Sequence, residues 1–282
     1  MRLICRLTKQ ISIALLVSTT ACNAASSAPR SRNSPQEPPR TYVTHLPKNR
    51  QPTQPVPLVL VFHGYGSQGK DLAKLSGFNQ IADRENFIVV YPDGLDRRWN
   101  VGGNEDVAFT NSLIQQFQKR YKIDSRRIYA TGISNGGFLV QRLACESSSQ
   151  IAAFASIVAT LPNGLQSQCR SSRPVSMLMI NGTDDRKVPW KGGTLPYGQI
   201  LSVPSSIDFW RQHNQCPKPA QVRSINPRVQ LDQYTNCKNG SEVELVMLKG
   251  AGHVFPRGGG GANSLIDASR EIWSFFGRHR SS

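Results

Sequence analysis

Beyond its first two dozen residues this chain has no apolar stretch long enough to cross a membrane, which excludes a multi-span membrane protein. It carries no internal repeat, no recognised nucleic-acid motif and no basic helix with interleaved aromatics. No two cysteines stand at close metal-ligand spacing, so a four-cysteine zinc site is disfavoured. Acidic residues are scarce, 18 against 34 Lys and Arg, which leaves a formal charge of +16 over 282 residues. With 38% hydrophobic and 18% charged residues the composition is that of a folded protein, not of a disordered or collagen-like chain. The length is also far beyond that of a disulfide-held miniprotein.

Residues 1 to 22 read as an export signal. Arg2, Arg6 and Lys9 supply the positive end, Ile11 to Val17 a short apolar run, and small residues follow. Thr20-Ala21-Cys22 loosely resembles a bacterial lipoprotein box, with Thr19 where Leu is usual; cleavage after Ala24 or Ala25 is the alternative. A lipid on Cys22 would be the one link to a membrane. Residues 23 to 40 are rich in Ser and Pro without apolar periodicity and read as a flexible tether. The remaining body, residues 41 to 282, is long enough for one large α/β domain, expected outside the cytoplasm and monomeric.

Cys5 and Cys22 fall in the leader, which leaves Cys145, Cys169, Cys216 and Cys237. An exported protein with four such cysteines suggests two disulfides. Of the three possible pairings, Cys145 with Cys169 and Cys216 with Cys237 are favoured, because each closes a short loop flanking expected elements. Without the leader the body keeps an excess near +13, which should attract polyanions. A solvated basic face is the simpler account, and no specific nucleic-acid partner is implied.

Six β-branched or leucine-rich runs predict buried strands: Pro57 to Phe62, Phe87 to Tyr91, Arg127 to Thr131, Ala153 to Val158, Val175 to Ile180 and Val243 to Leu248. Between them Leu72, Leu75, Phe78 and Ile81 share a helical face, and Val107, Ile114, Phe117 and Tyr121 another. Helices are also expected at Gly136 to Cys145, at Ile207 to Gln215, and at a closing segment marked by Leu265, Ile272 and Phe276 after the glycine run 258 to 261. Alternating strands and helices imply a doubly wound, mostly parallel sheet with helices on both faces, which binds ligands at the carboxyl ends of its strands.

Gly132-Ile133-Ser134-Asn135-Gly136 is a G-x-S-x-G pentapeptide between the expected strand IYAT and helix FLVQRLAC. Alone it is weak, since about one random chain in five would carry it. At a strand-to-helix turn, however, the glycines permit a strained nucleophile, and the helix N-terminus offers N–H groups to an oxyanion. Serine needs a base, and three histidines follow Ser134. His213 sits inside a helix and His279 in a charged tail, whereas His253 lies in a loop directly after the strand VELVML. His253 is therefore the expected base. The acid should follow a strand end too, and Asn181-Gly182-Thr183-Asp184-Asp185 offers two aspartates that spacing alone does not separate. The backbone N–H groups of Tyr65, in His63-Gly64-Tyr65-Gly66 after the first core strand, and of Asn135 are the expected oxyanion hole, with His63 orienting that loop.

These segments together resemble bacterial extracellular esterases of the polyhydroxybutyrate depolymerase and feruloyl esterase (carbohydrate esterase) group, within the α/β-hydrolases. The resemblance spans residues 42 to 277 and rests on LVLVFHGYG, SGFNQIADRENFIVVYPDG, Trp99-Asn100, NEDVAF, YATGISNGG, NGTDDRKVPW and GAGHVFP. It implies an α/β-hydrolase fold and a Ser134, His253, Asp185 triad, the acid being the Asp of G-T-x-D-x-x-V-P. It also favours the two short-loop disulfides. The chain departs from the group in lacking cysteines after Trp-Asn and in having Phe255 where Trp is common. Trp99, Trp190 and Phe255 are expected beside the catalytic loops as a substrate wall, or else as ordinary core aromatics. The expected activity is hydrolysis of feruloyl or acetyl esters on polysaccharide, or of short polyhydroxyalkanoates, with no metal or cofactor. A peptidase or lactonase with the same triad, and a non-catalytic polyanion-binding envelope protein, are the rivals.

Overall fold

A computed structural model describes residues 40–196, 198–257 and 265–281. The leader, Cys22, all of the expected tether except Arg40, and the glycine run lie outside the described residues. In chain order the strands are β1 (Tyr42–His45), β2 (Val56–Phe62), β3 (Ile88–Pro92), β4 (Ile123–Ile133), β5 (Ala153–Ile157), β6 (Ser176–Gly182), β7 (Gly193–Leu195), β8 (Gly198–Ile200), β9 (Gln221–Asn226), β10 (Val229–Tyr234) and β11 (Val243–Leu248). The helices are α1 (Gly69–Leu75), α2 (Phe78–Glu85), α3 (Glu105–Arg120), α4 (Asn135–Glu146), α5 (Leu165–Gln168), α6 (Val203–His213) and α7 (Ala268–Gly277).

Nine strands form one sheet in the order β1-β3-β2-β4-β5-β6-β11-β10-β9, and β7 with β8 makes a separate hairpin. The six strands from β3 to β11 are parallel, with antiparallel β1 at one edge and β10 and β9 at the other. These six are the unalternating apolar runs of the sequence, because a strand covered by helices on both faces has no solvent side. Alternate residues of β2 serve the two faces. Leu58, Leu60 and Phe62 enter a core with α3, α4 and α6, while Val59 and Val61 enter the opposite core with α2 and α7.

Two expectations need correction. The face expected from Leu72, Leu75, Phe78 and Ile81 is broken: Gly77 takes a left-handed φ of 78°, α2 restarts at Phe78, and Leu75 ends exposed while the other three are buried. A left-handed residue cannot continue an α-helix, so the apolar stripe divides between two short helices. Arg40, assigned to the tether, is folded instead; it pairs with Asp106 and lies 4.8 Å over the Phe109 ring.

The chain passes from β2 to β3 on one side and from β3 back across to β4 on the other, so the sheet reverses its winding between β2 and β4. Their ends are level, Phe62 pairing with Gly132, and the segments beginning at His63 and Ser134 leave the sheet together. On the far side Gly182 of β6 pairs with Leu248 of β11, which brings the loops carrying Asp185 and His253 to the same carboxyl edge.

Candidate active site

Ser134 stands between β4 and α4 at φ 55° and ψ −118°, a conformation that an L residue holds only under strain of about 1–3 kcal/mol. Its N–H donates to the Ile157 carbonyl at 2.9 Å, and its own carbonyl accepts from the Phe138 N–H at 2.9 Å. Glycine on either side is a packing requirement. A Cβ on Gly132 would lie 2.5 Å from the Gly136 carbonyl oxygen, and one on Gly136 would lie 2.3 Å from that of Phe62. Any side chain at these positions would push the turn off the sheet.

The structure brings Ser134, His253 and Asp185 together. His253 Nε2 is 2.8 Å from Ser134 Oγ, and its Nδ1 is 2.7 Å from Asp185 Oδ2. The second Asp185 oxygen accepts the N–H groups of Lys187 at 2.8 Å and Val188 at 2.9 Å. With its side chain 1% exposed, this carboxylate depends on those three partners in place of water. Asp184 is exposed, and its carboxylate accepts from the neighbouring Thr183 hydroxyl at 3.1 Å. His213 and His279 are elsewhere, bonded to Ser171 and Ser176 respectively.

The other expected site element follows β2. His63 is fully buried; its Nδ1–H donates to the Gly64 carbonyl at 2.7 Å, and its Nε2 accepts the Gly94 N–H at 3.0 Å. Burial holds its pKa below the ordinary imidazole value, so the ring is the neutral tautomer that these two bonds require. Tyr65 is 75% exposed at the mouth of the site, and the Gly66 N–H donates to the Arg97 carbonyl at 2.8 Å. Asn135 opens α4, where a first-turn N–H has no acceptor within the helix.

The side chain of Asn135 has a part that the sequence did not suggest. Its Oδ1 accepts the Trp99 N–H at 2.6 Å and its Nδ2 donates to the Trp99 carbonyl at 3.0 Å, a two-point clamp on one residue's backbone. Trp99 in turn donates its indole N–H to the His63 carbonyl at 2.8 Å, with the two rings 4.9 Å apart. Arg142 of α4 secures the same segment through the Val101 carbonyl and Asn104 Oδ1. The segments carrying Tyr65 and Asn135 are thereby braced to each other through Trp99.

Of the three aromatics expected as a substrate wall, Trp99 is closed off by burial, whereas Trp190 and Phe255 are half-buried. Trp99 is 3% exposed and belongs to the core, its N–H spent on His63. Trp190 packs on the core beside α3, α4 and α6, and Phe255 on the core across the sheet. Further apolar neighbours of the site are Phe138, Ala159, Val188 and Ile200, which pack together with Val101 and Leu195. Phe138 and Val188 are bonded through their N–H groups to Ser134 and Asp185 themselves. Their positions four residues after the serine and three after the aspartate were the available sequence signal.

A doubly wound parallel sheet with Ser, His and Asp gathered on its carboxyl edge is the α/β-hydrolase architecture. Acetyl xylan esterase from Aspergillus awamori shares this fold at a TM-score of 0.60 and 16% identity, over 84% of this chain and 93% of that one. A thermostable esterase does so at 0.58 and 17%, over 85% and 59%. Within that architecture, residues 41–161 match the family described as Esterase PHB depolymerase. The chain is 29% identical over 243 residues to the bifunctional acetylxylan esterase/xylanase XynS20E of Neocallimastix patriciarum, covering 84% of this chain and 33% of that protein. It is 26% identical over 229 residues to feruloyl esterase B of Piromyces equi, covering 76% and 42%. Feruloyl esterase D of Neurospora crassa matches at 27% over 253 residues, covering 85% and 82%. The chain thus spans less than half the length of the first two relatives.

Two disulfides, Cys145–Cys169 and Cys216–Cys237, are formed as the sequence suggested. The first ties the end of α4 to the residue after α5, and the second joins the segments following α6 and β10. Such pairs fit an oxidising compartment.

Proposed function

We propose that this protein is an exported serine carboxylic-ester hydrolase. The observation that carries the reading is the unbroken relay from Ser134 Oγ to His253 to Asp185 at 2.8 and 2.7 Å, on a strained turn at the carboxyl edge. Ser134 Oγ attacks the ester carbonyl carbon while His253 Nε2 takes its proton; the carbonyl π pair moves onto oxygen, facing the N–H groups of Tyr65 and Asn135. The tetrahedral intermediate collapses, the C–O bond to the alcohol breaks, and the imidazolium returns its proton to the leaving alkoxide. Water, deprotonated by the same nitrogen, then attacks the acyl carbon; the bond from that carbon to Ser134 Oγ breaks, the imidazolium returns its proton to Oγ, and the carboxylic acid leaves. Asp185 holds the Nδ1–H tautomer throughout and offsets the imidazolium charge.

The relatives named for feruloyl and acetylxylan esterase activity favour substrates in which a feruloyl or acetyl group is esterified to polysaccharide. Short polyhydroxyalkanoate chains are the further class indicated by the matching family. The test is hydrolysis of p-nitrophenyl acetate, p-nitrophenyl butyrate, methyl ferulate and a hydroxybutyrate oligomer by the wild type beside Ser134→Ala. Activity abolished in Ser134→Ala is the expected result, and the rank order assigns the substrate branch. A folded wild type inactive on all four but active on peptides or lactones would replace this reading with the corresponding rival.

A further inference from the structure

The opposite end of the sheet holds a group of cations that the ester chemistry does not use. Helix α3 closes with Lys119 and Arg120, and Tyr121 and Lys122 lead into β4. The guanidinium of Arg120 lies 5.4 Å from the centre of the Tyr121 ring, and that of Arg50, from the segment between β1 and β2, also lies 5.4 Å from it. Two like charges thus share one ring. Asp83 is engaged by His45 and Lys48, and Asp124 by Arg127 and Arg126. Among the described residues Arg50, Lys119, Arg120 and Lys122 have no carboxylate within ion-pair distance. The positive row continues along the start of β4, where the Arg126 carbonyl accepts the Ser281 N–H and brings exposed Arg280 alongside.

We propose that this end of the sheet is a docking surface for an acidic polysaccharide. Uncompensated cations crowded on one face repel each other and concentrate an opposing polymer, whose fixed charges replace a diffuse counterion layer. The one aromatic in the patch narrows the choice of polyanion. Tyr121 is half-buried, packs on Phe117 at 5.5 Å and is flanked by both guanidiniums, so it offers no free face for stacking a base and no apolar tip for entering a bilayer. Contact through charge alone suits a flexible chain of carboxylates or sulfates. Beside β4, strand β2 takes six residue steps from the partner of Ile123 to that of Gly132, which places the surface roughly 25–30 Å from the ester-cleaving edge by strand rise. A polymer held there leaves the site open, which would keep the enzyme on a polymer network while it works on esters nearby.

The test measures binding of the purified protein to heparin and to polygalacturonate, carrying sulfate and carboxylate respectively, at several salt concentrations around 0.1 M. The fourfold variant Arg50→Gln, Lys119→Gln, Arg120→Gln, Lys122→Gln is expected to bind both at least about tenfold more weakly and with a shallower salt dependence. Its hydrolysis of p-nitrophenyl acetate should stay within about twofold of wild type, since none of these residues reaches the site. The comparison variant Lys70→Gln, Lys74→Gln, Arg223→Gln, Lys249→Gln removes the same charge from other exposed positions. Equal weakening in both variants would overturn the proposal in favour of bulk charge, as would tighter binding of duplex DNA or anionic lipid vesicles than of either polysaccharide. Should the fourfold variant fold poorly, the double Arg50→Gln, Lys122→Gln must still weaken binding severalfold more than Lys70→Gln, Lys74→Gln. The surface does not depend on the esterase reading: Ser134→Ala should lose hydrolysis and keep polymer binding.

Discussion

Replacing Asn135 by Ala removes a side chain that touches no substrate in the proposed mechanism, yet it should slow the chemical step. The substitution leaves the Asn135 N–H in place and deletes both bonds to Trp99, at 2.6 and 3.0 Å. Trp99 is 3% exposed, so its backbone N–H and carbonyl would be left in the interior without partners, at about 1–3 kcal/mol for each such group. The segment will move to recover water or another partner, and that movement passes to His63 through the indole bond and on to the loop bearing Tyr65. Loss of an oxyanion donor altogether costs about 3–4 kcal/mol in the barrier, and a donor displaced but not removed should cost about half of that. The expected result is a kcat on p-nitrophenyl butyrate reduced about 10- to 30-fold with KM changed by less than about threefold. Reaction with a phosphonate ester that mimics the tetrahedral intermediate should slow in parallel. Asn135→Asp, which keeps the acceptor and loses the donor, should fall between the two. A folded Asn135→Ala protein with kcat within twofold of wild type, or one altered only in KM, would refute the brace.

Three further outcomes follow from the geometry. Asp185→Asn should reduce turnover on the order of 10⁴-fold and Asp184→Asn by less than about threefold, because only Asp185 faces His253; equal losses in side-by-side kinetics would mean the wrong acid was chosen. Removing either disulfide, as Cys145→Ser with Cys169→Ser or Cys216→Ser with Cys237→Ser, should lower stability by about 3 kcal/mol from loop closure across 24 and 21 residues, read by urea unfolding. Four alkylatable thiols in the unreduced protein would contradict both pairings. Protonating buried His63 opposes folding, since its folded pKa lies below the unfolded value near 6.5: its contribution is intact above that value and is lost as pH falls through the folded one. The urea midpoint should therefore drop as pH falls below about 6.5, and less steeply in His63→Gln; identical slopes in the two proteins would exclude this histidine as the cause.

What the sequence disclosed, and what it hid, follows from where the structural information resides. The six parallel strands were legible because each is covered on both faces and must be apolar throughout. Strand β9, QVRSIN, is almost wholly exposed, and its assignment depends on pairing with β10, which no local pattern reveals. The β7–β8 hairpin has three residues in each strand, too few for any period to register. At the site, Ser134, His253 and the aspartate pair were legible because each is a polar residue at the end of an apolar run. Asp184 and Asp185 became separable only through the fold, or through the resemblance to known esterases. The Asn135 clamp was invisible, since it joins positions 36 residues apart in the chain through backbone atoms of Trp99.

The misjudged tryptophan shows why such a clamp escapes sequence reading. A ring beside catalytic loops invites the inference that it meets the substrate, and Trp99 does stand beside them. Yet an indole that is 3% exposed, with an edge-to-face Phe62 at 5.2 Å and its N–H on a main-chain carbonyl, contributes rigidity instead. Ser134 needs that rigidity. Its strained turn packs Gly132 and Gly136 directly against the carbonyls of Gly136 and Phe62, so it relaxes only by a movement shared with β2. Fixing Trp99 from both sides, by Asn135 on the backbone and His63 on the indole, opposes that concerted movement. In the proposed mechanism a buried aromatic therefore braces the two segments whose N–H groups, of Tyr65 and Asn135, meet the oxyanion.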